Sequence, residues 1–285
     1  MSKIYILLPV HNRKEITRSF VECLKVQSFS DYQLVLIDDG STDGTAEMVL
    51  EYIPSATVLL GAGDWWWAGS LQRGLDWLKV QQVSDDALVL FINDDVSFAL
   101  NYLECAIRVM ADKKGVLMLS RHKSTGNGEI SESGVLADLR RLAFNIAVSA
   151  NQINCLSTRG LFIHWGDVRA IGDFHPKLLP HYLSDYEYTI RAHQKGFKCE
   201  TSAYLLIEPN DETTGYHVIC DKLFGDFLKK YFSIKSAGNP VYWSVFVLLT
   251  VNPIYMIQNL ARIWVGAGKT ILKAFFTSRN LCARP

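Results

Sequence analysis

The chain has 285 residues, of which 49% are hydrophobic and 20% charged, with 29 basic side chains balancing 29 acidic ones. This composition excludes a disordered polar chain and leaves room for one large α/β domain, or one domain with a smaller appendage. The balance is uneven: no Asp or Glu follows Asp226, so residues 1–226 hold 29 acidic against 21 basic side chains, and eight Lys and Arg lie beyond.

In chain order, Ile4–Leu8 predicts a buried strand; an apolar run of five residues before Pro9 is too short for a signal peptide, which points to a cytoplasmic location. Arg13–Val26 has helical spacing (Ile16, Phe20, Leu24), and Gln33–Ile37 is a second strand ending at Asp38-Asp39-Gly40. Ser41-Thr42-Asp43 offers a cap to a helix over Thr45–Tyr52. Ala56–Leu60 and Ala87–Ile92 read as strands, separated by a helix over Gly69–Val80. A further helix is expected over Phe98–Met110. Strands alternating with helices predict a mostly parallel sheet covered on both faces, with the ligand at the carboxyl ends of its strands. His11, Asp38–Asp39, Asp64 and Asn93–Asp95 all fall at such ends.

The second half is less regular. Val135–Ala137 and Leu142–Ala147 predict strands around a turn at Asp138–Arg141, Gly160–Trp165 a buried strand, Ser184–Gln194 a helix stopped by Lys195-Gly196, and Ala203–Ile207 a late strand. Six cysteines (Cys23, Cys105, Cys155, Cys199, Cys220, Cys282) form no Cys-x-x-Cys pair, which argues against a zinc ribbon or disulfide scaffold and suits a reducing compartment.

The tail, Asn239–Lys273, is apolar and basic, but Asn252, Pro253, Gln258, Asn259 and Arg262 interrupt it before the roughly 20 apolar residues a span requires. The expectation is a re-entrant or interfacial helix pair on an anionic membrane surface, set against a helix packed on the protein's own domain. Nucleic acid is a poor partner for so hydrophobic a tail.

Adjacent carboxylates after a buried strand, as in Phe91-Ile-Asn-Asp-Asp-Val96, call for compensating positive charge, and a hard divalent ion shared with substrate phosphates is one natural source. A helix N-cap is the plainer alternative. The series Leu8-Pro-Val-His-Asn-Arg13, Ile37-Asp-Asp-Gly-Ser-Thr-Asp-Gly-Thr45 and Leu90-Phe-Ile-Asn-Asp-Asp95 resembles the inverting family 2 glycosyltransferases of the GT-A fold, of the bacterial surface-polysaccharide type. The resemblance continues through Thr158-Arg-Gly-Leu-Phe-Ile163, Ile171-Gly-Asp-Phe174 and the stretch from Tyr182 to Phe197, covering about residues 3–210 in order.

That resemblance implies a GT-A domain over residues 1–218, with a nucleotide-sugar half (1–97) and an acceptor half (98–218), followed by helices over 219–285. It implies an α/β, Rossmann-like mixed sheet and a nucleotide-diphosphate sugar as donor. Pro9, Val10, His11, Asn12 and Arg13 would line the nucleotide pocket, with Asp39 accepting a hydrogen bond from the base. The family's Asp-x-Asp element falls on Asn93-Asp94-Asp95. Asp95 would then be the direct ligand of a divalent cation, Mg2+ or Mn2+, with Asn93 on the ribose or diphosphate and Asp94 beside the donor. Asp185 would be the general base, although Ser184 stands where the family usually has Glu. His217 would complete the metal shell, as late histidines do in some GT-A enzymes. His181, Tyr182 and Glu187 are candidate acceptor residues.

Gly61-Ala-Gly-Asp-Trp-Trp-Trp-Ala-Gly-Ser70 is not a dinucleotide fingerprint, because Trp66 occupies the third glycine position. In the resembled family this loop borders the donor, which implicates Asp64, Ser70 and Arg73. Three successive tryptophans cannot face one way. Trp67 is expected nearer the donor, and Trp65 or Trp66 against the acceptor, where an indole can stack on a pyranose.

The implied activity is metal-assisted, inverting transfer to a glycan acceptor. The apolar basic tail suggests a lipid-linked acceptor, as in O-antigen, capsule or lipopolysaccharide assembly at the cytoplasmic face of the inner membrane. A sugar nucleotidyltransferase is disfavoured because the loop after the first strand lacks glycine. A non-catalytic carbohydrate- or membrane-binding protein is the other alternative.

Overall fold

The computed structural model describes residues 3–124, 128–210 and 223–282. Four apolar runs form the parallel half of the sheet. They are β1 (Ile4–Val10), β2 (Tyr32–Asp38), β3 (Thr57–Leu60) and β4 (Leu88–Phe91), paired in the order β3-β2-β1-β4. The central strands are apolar throughout because both faces are covered, and the two-residue period divides them. Ile4, Ile6 and Leu8 join Leu34 and Leu36 on one side; Leu7, Val35 and Ile37 lie on the other.

Helices α1 (Lys14–Lys25), α2 (Thr45–Tyr52) and α4 (Tyr102–Met110) cover the first side, and α3 (Trp66–Val80) the second. Helix α3 sits so close to the sheet that a Cβ on Gly74 would lie 2.8 Å from Ile37 Cδ1 and 2.9 Å from Leu7 Cδ1. Only glycine fits there without displacing either side chain.

Beyond β4 the sheet becomes mixed. Strands β5 (Val96–Phe98), β6 (Val116–Lys123), β10 (Leu161–His164) and β11 (Lys198–Pro209) complete the order β3-β2-β1-β4-β10-β6-β11-β5, with β7 (Ile130–Ser131) on β6. Strand β10 runs antiparallel to both neighbours, so its beginning lies where β4 ends: Leu161 faces Phe91, and Gly160 N donates to Phe91 O. A two-stranded hairpin, β8 (Val135–Asp138) and β9 (Ala143–Ile146), turns at Asp138, whose carboxylate accepts from the amides of Arg140 and Arg141. Helix α5 (Trp165–Ile171) follows β10, and α6 (Ser184–Gln194) packs between the main sheet and the hairpin.

Several boundaries differ from the sequence reading for identifiable reasons. Phe98 does not begin a helix, because it is held in the ladder opposite Ile207 of β11. Helix α3 begins at Trp66, not Gly69, because a carboxylate described below satisfies its first amides. Strand β6 and helix α5 were not anticipated. Strand β11 is far longer than Ala203–Ile207, with a register shift between Ser202 and Leu206.

The C-terminal helices α7 (Phe224–Tyr231), α8 (Pro240–Thr250) and α9 (Pro253–Cys282) dock on the domain. Asn239 caps α8 by accepting from Val241 N, and Pro240 occupies the first turn, where no donor is missed. Phe246 is buried against Phe144 and Trp243, and the fully buried Asn259 of α9 donates to Leu139 O. The opposite face is open: Ile254 and Ile257 are 80% and 82% exposed, with Val265, Leu272 and Phe276 also in solvent. Among the described residues no helix is long and apolar enough to cross a membrane.

Candidate active site

The carboxyl ends of β1, β2 and β4 and the beginning of β10 meet at one edge. After β4, Asp94 and Asp95 are both buried. Asp94 turns toward α1, accepting from Arg13 Nε (3.0 and 3.1 Å) and Thr17 Oγ1 (2.8 Å). Burial pushes its pKa up, against the lowering influence of Arg13 and Thr17. Asp94 therefore anchors the β4 turn to α1, with both its oxygens engaged within the protein. Asp95 Oδ2 faces Arg159 Nη2 at 3.3 Å and Arg13 Nη2 at 3.5 Å. Its Oδ1 is buried without a hydrogen-bond partner among the described residues. Asn93 is half-buried beside it.

Asp39 has a second structural task. Its Oδ1 accepts from Gly63 N (2.9 Å), and its Oδ2 from Trp65 N (2.9 Å) and Trp66 N (3.0 Å). These bonds satisfy amides at the start of α3, which lacks a side-chain cap of its own. Three backbone donors occupy three of the carboxylate's roughly four acceptor sites, leaving Oδ1 room for one further donor. The loops after β1 and β2 are tied together as well. His11 Nδ1 donates to Asp39 O (2.6 Å), Asn12 N to Ser41 Oγ, and Thr42 N to Asn12 Oδ1. Gly40, at φ +77°, lets this loop touch the next one, since a Cβ there would lie 2.7 Å from Gly63 N. His11, Asn12 and Asp64 are exposed at this edge.

Asp185 lies half-buried in the first turn of α6. Its Oδ1 accepts from Tyr186 N at 2.9 Å, and no ion pair to it occurs among the described residues. Burial raises its pKa to about 6, with the backbone amides of Tyr186 and Thr158 among the opposing influences. Thr158 Oγ1 in turn accepts from Trp67 Nε1 at 3.0 Å. Trp67 thus braces the residue beside Asp185, and its polar atom is not directed at a donor.

The three tryptophans separate. Trp65 and Trp67 pack against the core on the α3 side, and Arg73 lies over the Trp65 ring, 5.3 Å from its centroid. Trp66 instead meets His181 (ring centroids 5.8 Å apart) and Lys235 (Nζ 5.7 Å from its centroid). His181 also contacts Tyr182 edge-on. Asn12, Trp66 and Leu183 hold left-handed φ values of 51°, 56° and 69°, a conformation asparagine tolerates but one costly for the bulky side chains of Trp66 and Leu183. All three flank this edge.

Four of the expected contact residues are interior. Pro9 and Val10 lie within β1, because the strand runs two residues further than its apolar run suggested, and Val10 joins the core. Ser70 is 2% exposed inside α3. Glu187 is 1% exposed and paired with Arg191 (Nε at 2.6 Å), so it is a packing residue of α6. His217 lies outside the described residues. Arg159, Thr158, Thr17 and Lys235 were assigned no role from the sequence, although Arg159 sits inside the Thr-Arg-Gly motif.

The family model described as glycosyl transferase family 2 matches residues 5–150, which contain β1 through β4 with their terminal loops and Asp95. The chain belongs to glycosyl transferase family 2. This glycosyltransferase is 23% identical over 297 residues to glycosyltransferase AglE of Haloferax volcanii, covering 96% of this chain and 88% of that protein. Its fold is similar to that of GalNAc-T7, solved with UDP, GalNAc and Mn2+ (TM-score 0.60, 11% identity). That match covers 73% of this chain but only 44% of GalNAc-T7, so the chain spans less than half the length of that protein. It is also similar to the mannosyltransferase PcManGT from Pyrobaculum calidifontis, solved with GDP-Man and Mn2+ (TM-score 0.57, 14% identity, 99% of this chain and 81% of that one). The glycosyltransferase therefore has the GT-A fold.

Proposed function

We propose that this glycosyltransferase moves a sugar from a nucleoside-diphosphate sugar to a hydroxyl of a glycan acceptor, inverting the anomeric centre, with Asp185 as general base. The observation that carries this reading is the state of Asp185: a half-buried carboxylate with no ion pair among the described residues and a pKa raised to about 6. Such a group is ionised near neutral pH yet basic enough to take a proton in the transition state. The acceptor O–H proton passes to Asp185 as the acceptor oxygen bonds to the anomeric carbon. The bond from that carbon to the diphosphate oxygen breaks, and the electron pair leaves with the nucleoside diphosphate. Tyr186 and Thr158 amides, with Trp67 behind Thr158, hold the base in place.

A divalent cation fits the opposite side. Asp95 offers a buried oxygen without a donor, while Arg159 and Arg13 hold the other oxygen. Among the described residues no group of three or more His, Cys, Asp or Glu could enclose a metal, so diphosphate oxygens would supply further ligands. When bound, the cation would neutralise charge on the leaving diphosphate. The Mn2+ and nucleotide complexes of GalNAc-T7 and PcManGT support this choice, with Mg2+ as the alternative ion.

The exposed apolar face of α9, beside Lys269 and Lys273, supports a lipid-linked acceptor and peripheral attachment to the cytoplasmic face of a membrane, as in surface-glycan assembly. The test of the donor reading is thermal unfolding of the purified chain against a panel of nucleotide sugars, with and without Mn2+. One nucleotide should raise the midpoint in an Mn2+-dependent way, the fold gaining about 2.7 kcal/mol of stability at a hundredfold excess over Kd. Asp95→Asn should abolish that Mn2+ dependence. A wild-type midpoint that no nucleoside diphosphate moves would overturn the reading.

A further inference from the structure

Trp66 is the one member of its triplet whose ring is not packed against the core, and its surroundings are unusual. His181 and Lys235 come from two distant segments to meet it. His181 Nδ1 is buried without a hydrogen-bond partner among the described residues, and burial, followed by the charge of Lys235, lowers the imidazole's pKa. It is thus a neutral group at pH 7 with an unanswered polar atom. Lys235 is exposed, and no carboxylate pairs with it among the described residues. Trp66 itself is kept at φ +56°, fixed by the hydrogen bond from its amide to Asp39. A bulky side chain in that conformation points to a functional contact.

The cluster adjoins the proposed base. Trp67, next in sequence to Trp66, is bonded to Thr158 beside Asp185. His181 lies just ahead of α6, in the turn that leads into Asp185, with Ser184 Oγ donating to His181 O at 2.7 Å. An aromatic face, a neutral imidazole and a free ammonium therefore lie beside the reacting edge. An indole face suits a pyranose ring. A lysine ammonium acts as a point charge and suits a phosphate. Lys235 also stands on the connection from α7 into α8, and α8 and α9 carry the exposed apolar face.

Resting on the transfer reading above, we propose that Trp66, His181 and Lys235 form an acceptor subsite for a sugar joined through phosphate to a lipid carrier. Trp66 takes the sugar ring, Lys235 Nζ the phosphate, and His181 Nδ1 a polar group between them. The C-terminal segment then has two tasks, docking on the membrane and reading the carrier's phosphate.

The test follows intrinsic tryptophan fluorescence during titration with octyl phosphate, inorganic phosphate and octyl β-glucoside, below their micelle concentrations. Octyl phosphate should perturb the wild type, and Lys235→Gln should weaken it by about tenfold or more, the loss expected for one charged hydrogen bond. Lys235→Arg should restore part of the affinity, and Trp66→Phe should remove the signal. Octyl β-glucoside should be indifferent to Lys235→Gln. Equal octyl phosphate affinity in wild type and Lys235→Gln would overturn the proposal. Inorganic phosphate binding as tightly as octyl phosphate would also overturn it, by showing a site for the free anion. Nucleotide-induced thermal stabilisation, measured on the same samples, should be unchanged in Lys235→Gln. Its absence from the wild type would instead sink the donor reading.

Discussion

Replacing Asp185 by Asn separates two accounts of this residue by the sign of a stability change. As a carboxylate in the first turn of α6, Asp185 could stabilise the helix through the dipole, by about 0.3–1 kcal/mol. As a base held against its preference to be neutral, it destabilises the fold whenever it is ionised. Its folded pKa of about 6 exceeds the usual value of 3.8, so the folded chain binds the proton more tightly than the unfolded chain. Stability from this group is therefore greatest below pH 3.8, declines as pH rises toward 6, and stays low above that. The full difference is at most about 3 kcal/mol, from about 1.36 kcal/mol per pH unit. Asparagine keeps an oxygen for Tyr186 N and carries no charge. Asp185→Asn should accordingly raise the melting temperature at pH 7.5 by up to about 6 °C, with the gain vanishing near pH 4. The same variant should lose transfer by at least about a hundredfold. In the wild type, kcat/KM should fall as pH drops through 6. Thermal unfolding at pH 4 to 8 reads the stability effect. A variant less stable than wild type at pH 7.5 would refute the reasoning and leave Asp185 as a helix-terminal residue.

Two further outcomes are expected. Glu187→Gln leaves Arg191 without its buried counter-charge and should destabilise the fold by about 3 kcal/mol. The acceptor KM of the folded fraction should not change; a large rise would return Glu187 to the acceptor site. The double variant Ile254→Glu, Ile257→Glu should lose flotation with phosphatidylglycerol-containing vesicles, because each isoleucine is worth about 1.5 kcal/mol or more when buried in lipid. A wild-type chain that stays out of the vesicle fraction would end the membrane proposal.

The parallel half of the fold was legible because its buried strands are uniformly apolar and each ends in polar residues. That contrast carried the edge and its loops, but not the direction of individual side chains. The structural task of Asp39 had no local signal: its bonds to Gly63, Trp65 and Trp66 depend on a loop 24 residues away folding over it. The tryptophan assignment depended on the same loop, since a left-handed Trp66 turns its ring out of the periodic order that separates Trp65 from Trp67. Arg159 precedes its strand instead of ending one, and only the antiparallel direction of β10 brings that beginning to the edge. Glu187 could have been read correctly: Arg191 stands four residues on, a spacing that pairs opposite charges on a helix. Lys235 had no comparable signal, because only tertiary packing brings it to residue 66.

The left-handed backbone at Trp66 gives this molecule a built-in gauge for related chains. A bulky residue held there costs about 1–3 kcal/mol that glycine would largely avoid. Drift alone therefore favours glycine or asparagine at this position as soon as the indole has no ligand to hold. A relative with glycine in place of Trp66 would be expected to fold more firmly and to have moved to a different acceptor. One that retains an indole there, against its own stability, would be expected to share this chain's acceptor chemistry.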